Sequence, residues 1–226
     1  MNEENKNCWL LDKCNKIDCD RFCQRYFKMN FYYDEALIDL NQRHHIKLLL
    51  DQDERDRQSF ERLSLIEKNI VDYVKSGNNL LIYSNQTGNG KTSWALRMVE
   101  SYLDKIWAKS ELKCKVLFVL VPKYLLGIKE NISEPNEYIK HIKNNILDAD
   151  IVIWDDIGTK AATSWEHEHL MSCISARINL GKSNIFTTNL SLDELHQALG
   201  DRLYSRVVIG SEKIKLVGLD KRGLSK

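Results

Sequence analysis

An α/β fold, a parallel sheet with helices on both faces, is predicted by two features of the 226-residue sequence. Short apolar runs of buried-strand length alternate with stretches whose apolar residues recur every three or four positions. One of those runs passes straight into a glycine-rich turn that opens a helical stretch. Composition agrees: 43% hydrophobic residues supply a core, and Lys+Arg 33 against Asp+Glu 32 leave a formal net charge of +1. That balance excludes a surface that is basic all over. Only two prolines rule out Pro-rich and mucin-like classes. No apolar run approaches the roughly 20 residues of a membrane helix. The polar start Met1-Asn2-Glu3-Glu4-Asn5 is wrong for an export or transit signal, so a cytoplasmic protein with no membrane partner is expected.

The elements follow in order. Residues 1–30 form a Cys-rich head in which Cys8, Cys14, Cys19 and Cys23 crowd together. Without an export signal such crowding points to metal rather than disulfides, and four thiolates suit one tetrahedral Zn²⁺ that would also supply folding energy. The alternative is a helix-turn segment with unpaired thiols. Residues 31–57, from Phe31-Tyr32-Tyr33 through a charged stretch, are expected to be a linker with a short helix inside it. A regular domain then fills 58–226. Phe60, Leu63, Ile66, Ile70, Tyr73 and Val74 fall at helical spacing, and Ser76-Gly77 stops the helix. Strands are expected over 80–83, 115–121, 150–154, 183–188 and 213–217. Helices are expected over 91–103, 137–146, 165–180 and 192–199. Cys114 and Cys173 are expected to be core thiols.

The turn after the first strand reads Asn85-Gln86-Thr87-Gly88-Asn89-Gly90-Lys91-Thr92, with Ser93 next. Between a strand and a helix this spacing makes a phosphate-binding P-loop. Gly88 and Gly90 let successive N–H groups turn inward, and the helix start adds its positive end. Lys91 would meet the β- and γ-phosphates of ATP, and Thr92 would offer its hydroxyl to Mg²⁺. Asn85 stands where the motif has its first glycine, and Asn tolerates left-handed angles. The strand Ile151-Val152-Ile153-Trp154 ends in Asp155-Asp156. Asp155 is expected on the Mg²⁺ side, and Asp156 is the candidate base for the attacking water. Asn189, after the strand ending Phe186-Thr187-Thr188, lies at the edge where open α/β sheets bind ligands. Arg202 and Arg206 are spaced to share one helical face. A guanine-reading Asn-Lys-x-Asp occurs only as Asn15-Lys16-Ile17-Asp18, upstream of the P-loop, which disfavours a GTPase.

P-loop, Asp-Asp-Ile-Gly, Thr-Thr-Asn-Leu and Arg-Leu-Tyr-Ser-Arg, in that order, resemble the DnaC/DnaI-type helicase loaders of the AAA+ class. The wording around Gly88–Ala95 and Ile153–Gly158 is similar to a phage-borne branch in Firmicutes. The resemblance covers about residues 60–219. It implies an ASCE-type AAA+ domain without a C-terminal lid, Asn189 as sensor 1, and Arg206 as an arginine finger acting on a neighbouring subunit. It also implies a weak ATPase that forms homo-oligomers when engaged and loads a ring-shaped, hexameric replicative helicase onto single-stranded DNA, with the head contacting the helicase. Two alternatives stay open: a transposition-helper ATPase with nearly the same core, and a nucleotide-gated adaptor with little hydrolysis.

Overall fold

Period-two alternation in the strands sets the layers of the molecule. The computed structural model describes residues 8, 10, 14, 23–43, 55–130, 136–159 and 163–221. Its strands are β1 (Asn79–Tyr83), β2 (Val116–Leu120), β3 (Ile151–Asp155), β4 (Ser183–Thr188) and β5 (Ser211–Lys215). Leu80, Ile82, Phe118, Ile153 and Ile185 enter one apolar cluster, while their neighbours Leu81, Leu117, Val152, Trp154 and Phe186 enter another. A sheet apolar on both faces needs cover on both. All four strand pairings are parallel, in the order β2-β3-β4-β1-β5.

Helices α1 (Gln24–Glu35), α2 (Arg57–Lys68), α3 (Ile70–Lys75) and α4 (Lys91–Ile106) pack on the first face. Helices α5 (Val121–Glu130), α6 (Glu137–Asn145), α7 (Ser164–Asn179) and α8 (Leu192–Tyr204) pack on the second. The predicted α/β architecture is therefore the observed one. Among the described residues no helix is long and apolar enough to cross a membrane.

Several elements differ from expectation for identifiable reasons. Phe31-Tyr32-Tyr33, expected in a linker, lie in α1, whose Met29, Tyr32 and Tyr33 are buried in the same cluster as α4. The chain then runs along the free edge of β2, where Phe118 N–H donates to the Ala36 carbonyl at 2.8 Å. Residues 24–38 thus pack into the α/β unit. The expected helix over 59–75 breaks at Asn69, whose side-chain amide donates to the Leu65 carbonyl at 3.0 Å and whose φ leaves the helical range. Helix α5 starts directly at Val121, the expected last residue of β2, because Pro122 suits the first helical turn. Strand β5 lies two residues upstream of its expected span.

One polar group organises the end of the sheet away from the glycine-rich turn. Arg177 of α7 is fully buried, and its guanidinium donates to Asn184 Oδ1 at 2.8 Å and to the carbonyls of Ile146, Ala149 and Ser183 at 2.6, 2.9 and 2.6 Å. Burial brings its pKa down to about 9. Asn184 Oδ1 also accepts from the Trp154 indole at 3.0 Å, so α7, β3 and β4 share one hub. Replacing the fork by an apolar chain strands three carbonyls but removes a desolvated charge. Arg177→Met is therefore expected to cost about 2–3 kcal/mol. Thermal unfolding should show this as a drop of roughly 5–10 °C. An unchanged melting temperature would mean the hub contributes nothing net.

Candidate functional site

The loop between β1 and α4 has the backbone a phosphate cradle needs. Gly88 and Gly90 take φ of +70° and +103°, where side chains are strained, and Gly90 caps the start of α4. Asn85 keeps a negative φ, so its replacement of glycine needs no left-handed tolerance. Asn85, Gln86 and Thr87 are exposed, whereas Asn89 is buried. Asn89 Nδ2 donates to Ser84 Oγ at 2.7 Å and to the Leu216 carbonyl at 3.3 Å, bracing the loop from beneath. Lys91 is buried at 5% exposure, and its ammonium donates to the Gln86 carbonyl at 2.6 Å and to Asn89 Oδ1 at 3.0 Å. Ser93, the third residue of α4, is half-buried.

A wall of the cradle comes from the chain after β5. Lys221 N–H donates to the Gly88 carbonyl at 2.9 Å, and a Cβ added to Gly88 would lie 1.9 Å from Asp220 Oδ1. This segment is fixed by Asp56, whose buried carboxylate accepts from Val217 N–H at 2.7 Å and Gly218 N–H at 2.9 Å. Asp56 falls in the charged stretch expected as linker. Nothing in an isolated charge run signals a carboxylate that clamps backbone 161 and 162 residues away.

The acid pair meets this loop. Thr92 Oγ1 donates to Asp155 Oδ1 at 2.9 Å, and Thr187 Oγ1 donates to the same oxygen at 2.6 Å. Burial raises the Asp155 pKa above the ordinary carboxylate range, and the two threonine hydrogen bonds oppose it. Asp156 sits at φ +57°, a position Asp tolerates, with its N–H donating to Thr187 Oγ1 at 3.1 Å. Asn189 Nδ2 then donates to Asp156 Oδ1 at 2.8 Å. Asn189 and Asp156 follow separate strands in the sequence, and the parallel pairing of β3 with β4 joins them. Thr187 lies at the ligand-binding edge expected for the strand ending Phe186-Thr187-Thr188, but its contact with Asp155 has no signal in the sequence.

These features fit ATP with Mg²⁺. The loop offers N–H groups freed by two left-handed glycines, an ammonium and a helix start, all suited to phosphate. Thr92 and Asp155 offer hard oxygen donors side by side, suited to Mg²⁺.

Arg206 lies elsewhere. It is exposed in a π-helical turn, Ser205–Ile209, and has no ion pair among the described residues. Arg202, expected to share a face with it, lies in the last turn of α8 and is exposed as well, 3.8 Å from Glu168. Of the head cysteines, Cys8, Cys14 and Cys23 are half-buried free thiols, and Cys19 lies outside the described residues.

Known proteins share this fold. The replicative helicase loader DnaC of Escherichia coli strain K12 is 22% identical over 130 residues, 58% of this chain and 50% of its own length. The chain thus spans about half the length of the curated relatives it matches. A crystal structure of the DnaC helicase loader superposes with a TM-score of 0.62 at 19% identity, covering 76% of this chain and 96% of that one. A crystal structure of DnaI gives 0.59 at 16% identity, covering 81% and 93%. These likenesses establish an AAA+ loader-type fold. A family model described as IstB-like ATP binding protein matches residues 35–212, well over half of the chain, and to that IstB/DnaC-type family of AAA+ proteins the chain belongs.

Proposed function

We propose that this protein is an ATPase that loads a ring-shaped replicative helicase onto single-stranded DNA. The joined acid pair carries the hydrolytic half: Asp155 is held by Thr92 and Thr187 beside the P-loop, and Asp156 is held by Asn189. The loop N–H groups and Lys91 bind the phosphates. Thr92 and Asp155 hold Mg²⁺, which neutralises phosphate charge when bound. Asp156, fixed in orientation by Asn189, takes the proton of the attacking water. Similarity to DnaC, a replicative helicase loader, supports the helicase as partner. Arg206 completes the site of a neighbouring subunit, and the head holds one Zn²⁺ through Cys8, Cys14, Cys19 and Cys23 while contacting the helicase.

Steady-state hydrolysis, with and without helicase and single-stranded DNA, tests this directly. Asp156→Asn should bind ATP yet turn over about 10²-fold more slowly or worse. Asp155→Asn should lose Mg²⁺-dependent affinity. Wild-type rates in both variants would mean the acid pair is misassigned. Failure of the intact chain to capture the helicase would remove the loader role and leave the transposition-helper alternative. Binding without helicase-stimulated turnover would leave a nucleotide-gated adaptor.

A further inference from the structure

Away from the P-loop, at the free edge of β2, three elements aim a sulfur, a nitrogen and an oxygen at one point. Glu35 ends α1, Cys114 leads into β2, and His141 lies on α6. One donor atom from each side chain lies within 4.8 Å of the other two. His141 Nε2 stands 4.0 Å from Glu35 Oε2 and 2.8 Å from the Glu35 carbonyl oxygen. Cys114 Sγ stands 3.4 Å from that carbonyl. A tetrahedral zinc with ordinary bond lengths needs donor separations of roughly 3.3–3.6 Å. The 4.0 Å between His141 and Glu35, and the 4.8 Å that bounds the set, are wider than that range, so side-chain rotations of about an ångström must draw the three donors together.

From this convergence we propose a second metal site, distinct from the Cys-rich head, in which Glu35, Cys114 and His141 bind Zn²⁺. The donor set is the borderline-soft mixture that zinc takes. The Cys114 side is buried, while the side chains of Glu35 and His141 are 33% and 26% exposed, so water has access to a fourth position. On binding, the thiol proton goes to solvent, and Nε2 exchanges its hydrogen bond to the Glu35 carbonyl for the metal. A packing thiol alone would need neither an imidazole nor a carboxylate beside it. The site would tie α1, from the first helical layer, to α6, from the second, across the edge of the sheet. Its role is structural: it fixes the helix that connects the head to the α/β unit.

Zinc content of the full chain, measured by elemental analysis after desalting, tests the site. A chain with Cys8, Cys14, Cys19 and Cys23 all changed to Ser should retain about one zinc, and adding His141→Gln or Cys114→Ala should remove it. Zinc should also raise the melting temperature of the head variant by about 5 °C, an increase that His141→Gln abolishes. A folded head variant that keeps no zinc and shows no thermal shift overturns the proposal. Should the head variant not fold, cobalt uptake by the otherwise unaltered chain decides instead. His141→Gln must then bind one ion fewer than wild type, and equal uptake rejects the site.

Discussion

Lys91→Ala is expected to weaken ATP binding about 10³-fold in a fluorescent-nucleotide titration, while the protein still folds. An ammonium about 4 Å from one phosphate charge, at the effective dielectric of a partly buried site, contributes roughly 4 kcal/mol, close to three decades of affinity. In the structure the ammonium is already drawn into the loop by the Gln86 carbonyl and Asn89 Oδ1. Both are neutral oxygens, so a phosphate brings Lys91 a stronger partner than those it must release. The same contacts predict a second, smaller effect: losing the ammonium removes internal braces from the loop. Lys91→Arg keeps the charge yet cannot reproduce a compact point contact inside so tight a turn, so it should recover only part of the affinity. Wild-type affinity in Lys91→Ala would sink the P-loop assignment, whatever the fold.

What the sequence reveals and what it hides follow from the range of the interactions involved. The P-loop was legible because its chemistry is local: two glycines, a lysine and a threonine within eight residues, between a strand and a helix. Strands β1, β2 and β3 were legible because burial on both faces leaves apolar runs that few other contexts demand. Helix α1 was not, because its aromatic Phe31-Tyr32-Tyr33 looks the same in a linker as in a helix packed on a distant α4. The roles of Asp56, Thr187 and Asn89 were hidden for the same reason. Each acts on a partner that only the folded sheet brings near: Val217 and Gly218 for Asp56, Asp155 for Thr187, Leu216 for Asn89. Arg177 presented as one more helical charge, and nothing local announces an arginine that donates to an amide oxygen and three carbonyls.

Arg206→Ala is expected to preserve folding and ATP affinity but to lower turnover by about 10³, the lower end of what arginine fingers contribute. Strand register supplies the reason. Asn79, at the start of β1, pairs with Ser211, at the start of β5, and the P-loop follows the far end of β1. The turn carrying Arg206 precedes Ser211, so it lies at the opposite end of the sheet from its own P-loop. Five residues of strand put about 16 Å between the two ends. A side chain directed outward from that turn can assist hydrolysis only by entering the site of another copy. There its planar, permanently charged fork would meet charge developing on the transferred phosphoryl group. The position also accounts for an exposed arginine without an ion pair among the described residues. Mixing distinguishes this from a monomeric mechanism. Arg206→Ala retains an intact acid pair and Asp156→Asn retains an intact finger, so together they form composite sites with both parts in place. Activity should reappear in the mixture and rise with protein concentration. If no ratio restores it, and wild-type hydrolysis is independent of concentration, the protein works alone and Arg206 is an ordinary surface charge.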